Sequence, residues 1–317
     1  MPPNPNPLVA IVGPTAVGKT RLAVELCQRF GGEVINADSR QVYRGMDIGT
    51  AKPTPEELSK APHHLLDQLD PSEHFGLGAF LPLAKTAAAD IATRGKLPIV
   101  AGGTGQYVWA MLEGQTVPAV PPDPELRASL DQVAEEQGAQ ALHDRLRQVD
   151  PDRADALDAR NVRRVVRALE IFHSTNQKPS ELVQAPLSIA CDYLVIGLTM
   201  DRKALYQRID DRVDSMMESG FLAEVERLAQ AGYPMGHGAL DSPGYRELGL
   251  YINGELSLEE SVSRTKTQTH RLARRQYTWF KLSDPRIQWL DAAGSGVAEQ
   301  ASELLSAYLS ETNPVVQ

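Results

Sequence analysis

Three features of the sequence predict an α/β fold, a parallel sheet flanked by helices with an all-helical insertion domain. Leu8-Val9-Ala10-Ile11-Val12 is a β-branched apolar run that enters a glycine-bounded loop, after which Leu22, Leu26 and Phe30 recur at helical spacing. Two further apolar runs, Glu33 to Ala37 and Leu97 to Ala101, also end in polar or glycine-rich loops, as do strands of an open sheet whose ligands bind at the carboxyl ends. From about residue 123 to residue 184 the pattern is wholly helical, and it returns to strand at Tyr193 to Thr199, which marks an insertion. The expected division is a core of residues 1–114 and 186–317 and a helical insertion of residues 115–185.

The first loop fixes the chemistry. Gly13-Pro14-Thr15-Ala16-Val17-Gly18-Lys19-Thr20 is a complete G-x-x-x-x-G-K-[ST] phosphate loop in its required strand-loop-helix setting, so the sheet is P-loop-containing. Its glycines let backbone N–H groups approach phosphate oxygens, the helix N-terminus adds partial positive charge, Lys19 adds a full one, and Thr20 can hold a metal ion. Taken alone, the loop suggests its commonest use, an ATP or GTP site.

Composition narrows the class. The chain has 317 residues, 42% of them hydrophobic, enough for one substantial core and a smaller domain. Its first residues lack a signal-peptide pattern and no run approaches a membrane span, so no membrane association and a cytoplasmic location are expected. Cys27 and Cys191 lie far apart in apolar contexts and read as buried thiols. A net charge of −9 argues against a nucleic-acid coat but leaves room for local basic surfaces.

Taken in order, Asp38 falls at the carboxyl end of the second strand, and residues 39–53 are too polar and glycine-broken for a core element, which suits an active-site loop. His63 and His64 are adjacent, point apart and make a poor metal pair. After the strand ending at Ala101, Gly102-Gly103-Thr104-Gly105 replaces the aspartate that a motor-type NTPase would use to hold magnesium. Glycines there admit a substrate to the backbone or simply make a tight turn, and the Thr104 hydroxyl can donate to a phosphate oxygen.

Beyond a proline-rich connector over residues 115–122, Asp123, Pro124 and Glu125 open a helix, followed by helices over Ala139 to Val149 and Asp158 to Ser174. On the last of these, Arg160, Arg163, Arg164 and Arg167 gather opposite an apolar face, a pattern of phosphate recognition or of a solvated surface. Asp201 caps a helix on which Arg208 and Arg212 share a face that can close over phosphates or stand free in solvent. A capping sequence at Ser257 opens a long helix through Phe280 with Arg264, Lys266, His270, Arg271, Arg274 and Arg275, and with Tyr277 and Trp279 interleaved. Residues 291–317 read as a C-terminal helix and a frayed tail.

So many motifs in this order resemble the bacterial tRNA dimethylallyltransferases, the isopentenyl-diphosphate:tRNA transferase family. The match covers about residues 8–290. It rests on the phosphate loop, Asp38-Ser39-Arg40-Gln41-Val42-Tyr43, Met46 to Lys52, Pro62-His63-His64, Gly102 to Gly105, Arg163-Arg164 to Glu170, Arg208 to Asp214, and Arg275-Gln276 with Thr278-Trp279-Phe280. The resemblance implies transfer of a dimethylallyl group from dimethylallyl diphosphate to N6 of the adenine beside the anticodon in tRNA, with Mg2+ and by a monomer. It implies Asp38 as general base, and Lys19, Thr104 and Arg212 as stabilisers of the leaving diphosphate. Residues 13–20 and Arg208 would hold that diphosphate, with Thr20 on magnesium. The anticodon stem-loop would lie against Asp38, Ser39, Arg40, Gln41, Thr104, Arg127, Arg163, Arg164, Arg167, Arg274, Arg275 and Lys281. The chain departs from the family at Asp241-Ser242-Pro243, where Ile-Gly-Tyr is common; proline there fixes φ and removes a backbone donor. Two rival readings are a P-loop small-molecule kinase, which would need ATP and has little use for two basic helices, and a non-catalytic tRNA-binding module, which leaves Asp38 and the intact loop unexplained.

Overall fold

The computed structural model describes residues 7–115, 118, 120–182 and 193–312. They divide into two compact units, residues 1–112 with 190–317, and residues 113–189. Cys191 and the tail beyond Thr312 lie outside the described residues.

The larger unit is built on six parallel strands: β1 (Leu8–Val12), β2 (Gly32–Asn36), β3 (His63–His64), β4 (Leu97–Ala101), β5 (Tyr193–Thr199) and β6 (Ile287–Asp291), in the order β3-β2-β4-β1-β5-β6. Every residue of β1, β2 and β4 is buried, as expected for strands covered on both faces. Register sets the site: Asn36 pairs with Ala101, Ala101 with Ile11, and Val12 with Gly197. The chain therefore leaves the sheet side by side at Asp38, Gly102 and Gly13.

Two strands were not legible. The histidine pair forms the edge strand β3, where alternation turns His64 onto the Glu33 carboxylate (2.7 Å) and His63 onto the Ala61 carbonyl (2.8 Å). Strand β6 precedes the expected C-terminal helix, which begins only at Val297.

Helices of this unit are α1 (Lys19–Phe30), α2 (Pro55–Lys60), α3 (Leu77–Thr93) and α4 (Gly105–Leu112) in its first part. Apolar residues of α1, including Leu22 and Leu26, pack on Val9, Ile11 and Ile99 of the sheet. Cys27 is part of this core, and burial pushes its thiol up to about 12, which leaves it inert as a nucleophile. No helix among the described residues is long and apolar enough to cross a membrane.

The second unit is α5 (Pro124–Gln137), α6 (Ala139–Val149), α7 (Pro151–Asp155), α8 (Val162–Thr175) and α9 (Pro179–Leu182). Asp123 caps α5 through the Leu126 N–H at 3.0 Å. Leu130, Leu142, Leu146, Val165 and Leu169 form its core. The arginine face expected here is corrected in two ways. Helix α8 starts at Val162 and not at Asp158, because the Asp158 carboxylate accepts the Arg160 backbone N–H (2.9 Å) and guanidinium (2.6 Å) and closes a turn. Arg127 and Arg167 both bind the wholly buried Glu170, Arg127 through bonds of 2.7 and 2.9 Å, and Glu170 also takes the Asp123 N–H at 2.7 Å. These hydrogen bonds overcome the burial that opposes ionisation and hold the Glu170 carboxyl down at about 2. Only Arg163 and Arg164 remain exposed without an ion-pair partner among the described residues of α8.

The larger unit resumes with α10 (Arg202–Glu218), α11 (Phe221–Gln230), α12 (Tyr245–Ile252), α13 (Leu258–Trp279) and α14 (Val297–Thr312). Asp201 caps α10 by accepting the Lys203 and Ala204 N–H groups at 2.9 and 3.1 Å.

Leu142→Ala should cost about 2–5 kcal/mol by leaving a cavity in the helical core. Hydrogen exchange should show the loss across residues 123–182 while the amides of β1 and β4 keep their protection. Uniform loss throughout the chain would contradict two separate cores.

Candidate active site

The carboxyl ends of β1, β2 and β4 open into a cleft of about 400 Å³ in the larger unit. Thr15 lines it from the first loop, Asp38, Ser39 and Arg40 from the second, and Gly103 to Gln106 from the third. Helix α10 adds Arg212, and α13 adds Arg275, Gln276 and Trp279. A more open recess of about 390 Å³ lies against the phosphate loop, where Gly18, Arg21, Arg208 and Arg212 meet. Arg212 lines both, so it stands where the two join. The shared face of Arg208 and Arg212 is thus turned to the phosphate loop, and Arg21 joins them unforeseen.

Gly13 is dictated by geometry: its φ is +139°, and a side chain there would stand 2.4 Å from the Leu198 carbonyl oxygen. Gly18 caps α1 without a side-chain acceptor, so the first N–H groups of that helix are open to an anion. Lys19 donates to the Pro14 carbonyl at 2.7 Å, folded back over its own loop. Its amine is lowered to about 8 by burial; the Asp38 charge opposes that shift and the Arg212 charge adds to it. Arg212 is open to solvent in the cleft, yet the protein packed around its guanidinium lowers it from its ordinary value, with Glu57 opposing and Arg208 adding to the effect. A site that crowds three cations against each other is completed by an anion.

Asp38 is fixed by its own neighbourhood. Its Oδ1 accepts the Arg40 N–H at 2.8 Å, and its N–H donates to the Asn36 side chain at 3.2 Å. Thr104 Oγ1 accepts the Ser39 N–H at 3.1 Å, which leaves its hydroxyl hydrogen free to donate into the cleft. Gln41 and Arg40 are partly committed: Gln41 donates to the Thr50 and Ala51 carbonyls at 3.1 Å each, and Arg40 to the Gly238 carbonyl at 3.1 Å. Residues 39–53 are also less polar than their composition suggests, since Val42, Tyr43 and Met46 are core residues.

The glycines after β4 serve packing. A side chain at Gly102 would lie 2.3 Å from the Ala37 carbonyl oxygen, and one at Gly103 only 2.0 Å from the Gln276 amide. Gly102 thus serves close packing against the end of β2, while Gly103 and Gly105 line the cleft itself. Gln276 is the residue that sequence reasoning missed: buried, it accepts the Thr15 N–H at 2.7 Å and donates to the Gly103 carbonyl at 3.1 Å. Glu224 is another. It is buried in α11 and accepts the N–H groups of Asp47, Ile48 and Gly49 at 3.0, 2.8 and 3.1 Å and the Tyr245 hydroxyl at 2.6 Å. Burial and that carboxylate push Tyr245 well above its ordinary value, so it remains a donor. The signal for both was a polar side chain on the apolar face of a helix, Glu224 between Phe221 and Leu228, Gln276 between Ala273 and Phe280.

The long basic helix is less basic than its sequence. Arg264 is paired with Glu260 (2.7 Å) and Lys266 with Asp214 (2.7 Å), and His270 Nε2 lies 2.9 Å from Asp210 Oδ1. Arg271, Arg274, Arg275 and Lys281 stay exposed and without an ion-pair partner among the described residues, and Trp279 is 40% exposed at the cleft. Phe280, in contrast, is core.

No group of three His, Cys, Asp or Glu among the described residues can hold a metal by itself. A magnesium ion fits only as a partner of a bound polyphosphate: Thr20 at the start of α1 offers a hydroxyl, and phosphate oxygens and water complete the oxygen shell that this ion prefers.

Lys19 is charged below about pH 8 and loses its proton above it. The kcat/KM for a diphosphate substrate should therefore fall as pH rises through about 8, and Lys19→Ala should remove that limb together with most of the activity. A limb that persists in the variant would assign it to another group.

Two family models match the chain, one described as IPP transferase over residues 41–283 and one as isopentenyl transferase over residues 6–72. A tRNA dimethylallyltransferase of Roseiflexus sp. is 47% identical over 305 residues, covering 96% of this chain and 99% of that one. The crystal structure of the full-length tRNA isopentenylpyrophosphate transferase of Bacillus halodurans is similar with a TM-score of 0.72 at 41% identity, covering 97% of this chain and 98% of the other. A eukaryotic dimethylallyltransferase solved acting on tRNA gives a TM-score of 0.82 at 32% identity, over 98% of this chain and 81% of its own. The parallel sheet, the phosphate loop and these likenesses over nearly the whole length agree: the chain belongs to the tRNA dimethylallyltransferase family of IPP transferases.

Proposed function

We propose that this chain transfers the dimethylallyl group of dimethylallyl diphosphate to N6 of the adenine beside the anticodon of tRNA, and releases diphosphate. The single observation that carries the reading is the joint lining of one cleft by Thr15 of the phosphate loop, Arg212, Asp38 and Thr104. A carboxylate stands in the same space as the cationic grip on a leaving group, which suits proton removal from a nucleophile that attacks beside it.

The step balances as follows. The N6 lone pair forms a bond to C1 of the allyl group, the C1–O bond breaks, and its electrons leave on the diphosphate oxygen. Asp38 takes the N6 proton. Negative charge on the diphosphate grows as the bond stretches, so Lys19, Arg212 and the Thr104 hydroxyl bind the transition state more strongly than the ground state. Residues 13–20 and Arg208 hold the diphosphate. Thr20 and that diphosphate would hold a magnesium ion, which would supply further neutralising charge. The adenine has to leave its stack to reach the cleft, as base-modifying enzymes require.

Asp38, Ser39, Arg40 and Thr104 border the space for the adenine, Gln41 braces their loop through the Thr50 and Ala51 carbonyls, and Arg274, Arg275 and Lys281 supply phosphate contacts from α13 and its end. In the helical unit, which we assign to tRNA binding, Arg163 and Arg164 are free for phosphates. Arg127 holds α5 to α8 through Glu170, and Arg167, on α8 itself, shares that carboxylate and donates to the Val120 carbonyl. A tRNA substrate supports a cytoplasmic location.

A labelled-donor assay on unmodified tRNA tests the reading: label should pass to tRNA with no ATP present. Strict dependence on ATP, with a phosphorylated product, would sink it in favour of a kinase. In the same assay Asp38→Ala should lower kcat by about 100- to 10,000-fold while the dissociation constant for tRNA changes little. Equal loss of both would make Asp38 a binding residue.

A further inference from the structure

One wall of the cleft is apolar, and its composition bears on which donor is accepted. Ile209, Val213 and Met216 of α10 line it at helical spacing, flanking Arg212, with Phe221 behind them and Leu272 of α13 alongside. One helix face therefore carries Arg212 between apolar residues, and from Arg212 toward Met216 it presents a cation and then hydrocarbon. That is the order of groups in an allylic diphosphate, with the charged head at Arg212 and the chain running toward Met216. An adenine makes opposite demands. Its ring edge needs donors and acceptors, and these lie on the other side, at Asp38, Ser39 and Arg40.

The far end of the apolar wall is built to stay where it is. The Phe221 ring is 1% exposed and packs edge-on against Tyr245 with centroids 5.0 Å apart. It also fills the space of two missing side chains: a Cβ at Gly49 would lie 2.1 Å from the ring and one at Gly244 2.5 Å from it. Tyr245 is in turn tied to Glu224, whose carboxylate holds the backbone of residues 47–49. Phe221 is thus clamped on three sides. Met216, half-buried, is an unbranched side chain that lines the same cleft as Phe221.

We propose that Met216, backed by the immobile Phe221, sets the length of prenyl chain that the site accepts, and so limits the donor to five carbons. The inference rests on the transfer reaction proposed above and names the donor class that a single side chain excludes, the ten-carbon allylic diphosphates. Truncating Met216 to alanine removes three heavy atoms from the lining of the cleft, to which Asp241, Ser242 and Pro243 also contribute. Transfer of the longer group uses the same bonds: N6–C1 forms, C1–O breaks, diphosphate leaves and Asp38 takes the proton.

The experiment compares five-carbon dimethylallyl and ten-carbon geranyl diphosphate as donors to the same unmodified tRNA, with the full chain and its variants. Met216→Ala should raise the ratio of geranyl to dimethylallyl kcat/KM by about tenfold or more, as a change of a few carbon-sized atoms in an apolar pocket does. Met216→Trp should do the reverse, lowering kcat/KM for the five-carbon donor about tenfold or more by raising its KM, with the tRNA dissociation constant within a factor of two of wild type. An unchanged ratio in a Met216→Ala protein that still transfers the five-carbon group overturns the proposal, as does a Met216→Trp protein that binds tRNA and keeps its donor KM. Absence of five-carbon transfer by the wild-type chain would instead overturn the transferase reading itself.

Discussion

The side-chain amide of Gln276 ties together the two glycine loops that leave the sheet at neighbouring strand ends. Its oxygen takes the Thr15 N–H and its nitrogen reaches the Gly103 carbonyl, with α13 supplying the rigid mount. The phosphate loop, the turn that carries Thr104 and the helix that carries Arg275 are therefore set by one buried group. An amide is suited to this place because it offers one acceptor and two donors without charge. A glutamate there would meet the Gly103 carbonyl with no proton to give and add an anion beside the phosphate loop. A leucine would leave two backbone groups unpaired, at roughly 1–3 kcal/mol each.

Much of this was legible because it is local. The phosphate loop announces itself in eight residues, and Asp38 follows from strand logic, since a residue just past a buried run must sit on the ligand side of an open sheet. The helix starts at Asp123, Asp201 and Ser257 were readable from their capping side chains. What escaped was set by partners distant in sequence. The β6 strand gains its identity by pairing with β5, some ninety residues earlier, and no periodicity within five residues reveals that.

Charge was misread for the same reason. Arginines on a helix face look available until the residues opposite are known: Glu170 absorbs two of them, and Glu260 and Asp214 absorb two basic groups of α13. Net charge and spacing count cations, whereas recognition depends on those left unpaired. Among the described residues, the cations outside such pairs include Arg21, Arg208 and Arg212 at the phosphate loop, Arg163 and Arg164 on α8, and Arg271, Arg274, Arg275 and Lys281 at the end of α13. The overall acidity of the chain and a cationic working surface are compatible because most acids are spent elsewhere, inside ion pairs and caps.

The central claim is that a phosphate loop grips a group that departs whole, so that carbon and not phosphorus is attacked. Heavy oxygen placed in the bridge between C1 and the diphosphate of the donor tests this most directly, with mass spectrometry of both products after transfer to tRNA. Attack at carbon predicts that all of the label leaves with the diphosphate and none enters the tRNA. Label carried into the tRNA, or a phosphate added to it, would contradict the account.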